Sequence, residues 1–76
     1  MMQAQDLEFV TNAVRDYVRQ RPNSADTAEG IANFWINWPG EVLPMSVVLP
    51  ILESMRHAGE LESMVVGGRT IWRAAR

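Results

Sequence analysis

The sequence predicts an α+β fold that is mostly helical, three helices followed by a C-terminal two-stranded hairpin. Three observations carry that expectation. A helix-like run over residues 47–58 stops at Gly59. Beyond it lie two short segments, Leu61-Glu62-Ser63-Met64-Val65-Val66 and Arg69-Thr70-Ile71-Trp72-Arg73, rich in β-branched and aromatic side chains and joined by Gly67-Gly68. A Gly-Gly pair supplies the positive φ angles of a two-residue hairpin turn. Upstream, apolar residues recur at helical spacing in two further stretches.

The first helix is expected to start after Asp6, whose side chain can cap first-turn amides, and to end before Pro22, which disfavours helix in the residue before it. Leu7, Val10, Ala13, Val14, Tyr17 and Val18 make its apolar stripe. A polar loop, Pro22-Asn23-Ser24-Ala25, follows. Asp26 with Glu29 three residues on resembles a capping box opening a second helix, whose buried stripe is Ala28, Ile31, Ala32 and Trp35. Gly30 inside that helix costs about 1 kcal/mol relative to alanine, and its presence suggests close packing against the first helix. Trp38-Pro39-Gly40 closes the second helix.

The third helix has two possible starts, Pro44 or Ser46. With Ser46 as cap, Pro50 falls at the fourth helical residue, whose amide has no intrahelical partner, so a regular helix from about Val47 is favoured. Val48, Ile51, Leu52 and Met55 form its buried stripe, and Gly59 its left-handed end. In the hairpin, a Gly67-Gly68 turn pairs Val66 with Arg69 and Val65 with Thr70. Glu62 then faces Arg73 and Met64 faces Ile71, so charge and apolar pairings agree.

Seventy-six residues specify one small domain, spanning residues 1–76, with a modest core. The chain has no cysteine, which rules out disulfides and thiolate metal sites as supports and makes the cytoplasm the default location. No signal peptide is read at its start, and the longest apolar run, residues 42–52, is too short for a membrane span and holds Pro44 and Pro50. A soluble protein without a membrane partner is expected. The net charge is −2, all seven basic residues are arginine, and the charge runs from −3 over residues 1–43 to +2 over residues 61–76. Nucleic-acid binders usually show a clear basic excess, because phosphate neutralisation supplies most of their non-specific affinity.

The helix ending Leu52-Glu53-Ser54-Met55-Arg56-His57-Ala58-Gly59-Glu60-Leu61, followed by Gly67-Gly68-Arg69 and Ile71-Trp72-Arg73, resembles the winged helix-turn-helix superfamily. The resemblance extends from Asp6 to Arg73 and indicates fold more than function. It implies a three-helix winged-helix domain whose third helix would enter the major groove of duplex DNA while the wing meets backbone. Carried onto this chain, the groove-facing candidates are Ser46, Val47, Leu49, Pro50 and Glu53, with Arg56 a turn further along, Arg69 as the wing contact, and Arg69, Arg73 and Arg76 as groups that could hold phosphates. Valine and leucine match thymine methyls at best, and Glu53 opposes the phosphate field.

The same apolar surface points to a protein partner or a homodimer. Phe9, Phe34, Trp38, Val47 and Leu49 fall off the core stripes, and exposed aromatic and aliphatic clusters mark partner surfaces; the alternative is that wide helix stripes absorb them into the core. Trp35 and Trp72 read as core. Catalysis is not expected, because His57 is the only histidine and no nucleophile, base and orienting group accompany it. Scattered carboxylates give no metal-ligand spacing, and no cofactor or small-molecule substrate is implied. A ligand lodged between Trp35, Trp38 and Trp72 is a weaker idea, since no convergent polar groups would orient it.

Overall fold

The computed structural model describes residues 3–75. The elements run α1 (Ala4–Gln20), β1 (Ala25–Asp26), α2, which opens as Ala28–Gly30 and continues as a wider π-helical turn over Ile31–Trp35, α3 (Met45–His57), β2 (Leu61–Val66) and β3 (Arg69–Ala74). The class is α+β and mostly α. The sheet is antiparallel, in the order β1-β3-β2, so it has three strands and not the two of the hairpin alone.

The third strand comes from the loop after α1. Ala25 pairs with Arg73 and Asp26 with Trp72, which makes β3 the central strand. The hairpin register is the expected one: Val66 with Arg69, Val65 with Thr70, Met64 with Ile71, Ser63 with Trp72 and Glu62 with Arg73. Gly67 and Gly68 have φ of +58° and +78°, the doubly left-handed geometry whose twist suits a two-residue hairpin and which β-carbons disfavour. Arg73 Nε donates to Glu62 Oε1 across the strands.

Helix boundaries depart from expectation in three places. α1 begins at Ala4, with Gln3 as N-cap and no side-chain cap. Asp6 is therefore inside the first turn, where a carboxylate is favoured by the helix dipole. At α2 the cap is Thr27, whose Oγ1 accepts from Gly30 N at 3.1 Å; Asp26 is a strand residue that accepts from Thr27 N at 2.8 Å. α3 begins at Met45, so Pro50 is inside it. Pro50 removes the bond to the Ser46 carbonyl, but both residues are exposed, so water can take the freed acceptor.

Gly30 also differs from the reading above. A Cβ there would meet the Asp26 carboxylate, with Oδ1 at 2.0 Å, so the close neighbour is the strand before α2 and not α1. The stripes of α2 and α3 are buried throughout, joined by Val10, Val14, Ile36, Leu61 and Trp72. In α1 only Val10 and Val14 are fully buried; Ala13, Tyr17 and Val18 pack on the core's edge. Leu7 is 39% exposed and lines a cleft with Ser54, Met55 and Ala58 at the end of α3.

α3 ends in a Schellman turn, with Glu60 N bonded to the Met55 carbonyl and Gly59 N to the Arg56 carbonyl. That turn aims Glu60 at α1, where Arg15 Nε and Nη2 donate to its two carboxylate oxygens at 2.5 and 2.8 Å. The hydrogen bond from Arg15 holds the Glu60 carboxyl below its usual range, and Glu60 in turn raises Arg15. A depressed carboxylate stabilises the fold above its unfolded pKa, about 4.3, and that contribution is lost as pH falls through the lower folded value. Both side chains are partly exposed, so the effect is small and screened by salt. Acid unfolding monitored by circular dichroism should therefore show a modest extra loss below the ordinary carboxylate range that Glu60→Gln removes. An unchanged acid limb in that variant would show that the pair contributes nothing.

Candidate functional site

The interface candidates singled out from the sequence fall into two apolar hollows, one position against the core and one isolated position. The first hollow lies between the start of α1 and the segment joining α2 to α3. It has a volume of about 470 Å³ and is lined by Gln5, Asp6, Phe9, Trp38, Pro39, Gly40, Glu41 and Leu43. Phe9 is 37% exposed and rests on Trp38, ring centroids 5.7 Å apart and planes tilted by 40°. Trp38 is half-buried and donates from Nε1 to the Ala32 carbonyl at 2.6 Å, one of the last-turn carbonyls that a helix leaves without an internal partner. Trp38 is thus a helix cap as well as a wall of the hollow. Removing it would disturb α2, whereas Phe9 can be changed with less structural effect.

The second hollow, about 670 Å³, is on the solvent side of α3 between Met45, Ser46, Leu49, Pro50, Glu53, Ser54 and His57. Leu49 is 41% exposed and Ser46 is open to solvent. Val47 packs partly against the core and presents less surface than its place in the sequence suggested. Phe34, at 78% the most exposed large apolar residue described, lines neither hollow. The five interface candidates therefore divide into Phe9 with Trp38, Leu49 alone on α3, Val47 toward the core, and Phe34 apart.

The arginine candidates are mostly occupied. Arg56 donates to Glu53 Oε2 and to Ser63 Oγ, and its guanidinium stands 5.9 Å from the centroid of the Trp72 ring. Arg73 is paired with Glu62. Arg69, at the hairpin tip, is exposed and forms no ion pair among the described residues. Arg76 lies outside the described residues. Arg21, at the end of α1, stacks over Tyr17 at 4.8 Å, and Tyr17 in turn stacks on Trp35 at 4.6 Å.

The three tryptophans do not converge. Trp35 and Trp72 are in the core and Trp38 is on Phe9. His57 is exposed in the last turn of α3, and among the described residues no three His, Cys, Asp or Glu side chains gather as a metal site. No described helix is long and apolar enough to cross a membrane.

Sequence reasoning missed Leu43 and Pro39 as walls of the first hollow, because the Trp38-Pro39-Gly40 stretch reads only as a helix stop. It also missed the exposed pair Val65 and Val66, at 74% and 56%, whose strand alternation gives no sign of how far the hairpin extends beyond the helices. Compared with protein-family models, curated proteins and solved structures, the chain matches none.

Proposed function

We propose that the chain is a winged-helix domain working as a non-enzymatic protein-interaction module, which associates with its own copies or docks into a larger assembly in the cytoplasm. The order α1-β1-α2-α3-β2-β3, with a hairpin following α3 and a short strand on the far side of β3, supports the winged-helix reading. The solvent face of α3 carries the functional one. Where a DNA reader presents donors and positive charge, this helix presents Met45, Leu49 and Pro50, and its one arginine is held by Glu53. Apolar surface of this kind suits protein contacts, where buried aliphatic and aromatic anchors supply most of the energy.

One observation favours a second reading, a small transcriptional regulator binding duplex DNA. Arg69 is unpaired among the described residues at the hairpin tip, and Ser46 is open on the first turn of α3. Anisotropy of a labelled random-sequence duplex, titrated at low and at physiological salt, separates the two. The interaction reading expects no binding even at low salt. Binding that weakens steeply with salt, and whose salt slope falls in Arg69→Ala, would overturn it in favour of DNA.

A further inference from the structure

β2 is an edge strand with one side unpaired. β3 is flanked by β1 and β2, and among the described residues no strand lies beyond β2 in the sheet. In a two-residue hairpin the pair next to the turn exchanges both backbone bonds, so Val66, Met64 and Glu62 bond to β3. The N–H and C=O groups of Leu61, Ser63 and Val65 then point away from the sheet. Natural edges are usually protected by lysine, proline, a bulge or a covering segment. β2 has none of the first three, and toward the tip it exposes Val65 and Val66.

We infer that β2 pairs antiparallel with β2 of a second copy, joining two three-stranded sheets into one of six strands about a two-fold axis at Met64. This deepens, and rests on, the protein-interaction reading above. Charge and side-chain pairing select the register. Leu61, Ser63 and Val65 share the helix-facing side with Trp72, while Glu62, Met64 and Val66 share the outer side with Arg73, Ile71 and Arg69. Centring the two-fold axis on Glu62 sets two carboxylates directly opposite each other, which is destabilising. Centring it on Ser63 places each Glu62 against an apolar Met64, and centring it on Val65 leaves only a short overlap at the tip.

With the axis at Met64, the two Met64 side chains meet between the two copies of Ile71 and extend one apolar stripe across the outer face. Ser63 and Val65 form the narrow pairs that exchange backbone bonds. Val66 then stands opposite Glu62 of the second copy, and the row reads Arg69, Val66, Glu62, Arg73. The free arginine of one copy then shares a row with the carboxylate that already pairs with Arg73 in the other, with Val66 between them.

The chain has no cysteine, so Met64→Cys is a clean reporter. A wide antiparallel pair has Cα atoms about 4.5 Å apart, within the range a disulfide spans. Sedimentation velocity from low micromolar to submillimolar protein should show a monomer–dimer equilibrium. Met64→Cys should give a covalent dimer under oxidised glutathione. Val65→Pro, which removes an outward-facing N–H, and Val65→Lys, which adds charge at the edge, should each weaken dimerisation at least tenfold with helical and strand circular dichroism retained. If Val65→Pro fails to fold, Val65→Lys decides. A wild-type chain that stays monomeric, with no cross-link in Met64→Cys, overturns the pairing while leaving docking to another protein open. A dimer that survives both Val65 variants but dissociates in Phe9→Ser also overturns it, and keeps the interaction reading through the Phe9–Trp38 hollow.

Discussion

Trp72→Ala is expected to cost about 3–5 kcal/mol, a large share of the stability such a chain holds. At roughly 0.05–0.15 kcal/mol per residue, a domain of 76 residues has about 4–11 kcal/mol in total. Trp72 is 1% exposed on the central strand, opposite Ser63 on one side and Asp26 on the other. Its ring lies beneath the Arg56 guanidinium of α3. Truncation therefore opens a cavity where the sheet meets α3, and both flanking strands lose their common neighbour. Trp72→Phe, which keeps an aromatic ring there, should lose much less. Urea unfolding followed by circular dichroism measures both variants, and a Trp72→Ala midpoint close to wild type would show that the core does not depend on this contact.

What could be read of the fold from the sequence was whatever local chemistry decides. The hairpin register follows from Gly67-Gly68 alone, because a two-residue turn fixes every pair behind it. The stripes of α2 and α3 follow from helical spacing. What escaped was set by tertiary contact. Ala25 and Asp26 have no strand propensity, and they pair only because β3 offers them a free edge. Asp6 suggested a cap but stands in the first turn, three residues after Gln3, where acidic residues are favoured as they are at the cap; Asp26 suggested a cap but stands one residue before it, bonded to Thr27 N. Pro50 misled for a related reason: the rule against interior proline assumes a freed carbonyl with no solvent, and Ser46 is on the exposed side.

The candidate site was legible by residue type but not by grouping. Phe9, Phe34 and Leu49 are exposed as their positions off the stripes implied, yet only the folded chain shows that Phe9 meets Trp38 while Phe34 stands apart. Nor does the sequence reveal which arginines are free. Glu62 with Arg73 follows from the register, but Arg15 with Glu60 spans 45 residues and depends on the turn that ends α3. These pairings bear on the proposed function, because they leave Arg69 as the hairpin's free cation among the described residues and hence as the group that phosphate would engage in the DNA reading.

Gly30→Ala is expected to destabilise the domain by about 1–3 kcal/mol, as overpacking does, although alanine in a helix normally gains about 1 kcal/mol over glycine. The backbone does not require glycine here: φ is −63°, which every residue adopts. Space is the reason. A Cβ would stand 2.0 Å from Asp26 Oδ1, 2.2 Å from Cγ and 2.3 Å from Oδ2, so the whole carboxyl group must move, and moving it breaks the bond that Oδ1 accepts from Thr27 N at the start of α2. The clash and the lost bond thus reinforce each other at the junction of β1 and α2. Asp26→Ala alone loses the bond, but in the Gly30→Ala background it also relieves the clash. The double variant should therefore be more stable than Gly30→Ala alone, a coupling that thermal unfolding of the four proteins would quantify. Strict additivity, or a Gly30→Ala domain that melts above wild type, would mean that the Asp26 carboxylate yields freely and that this junction is not fixed by it.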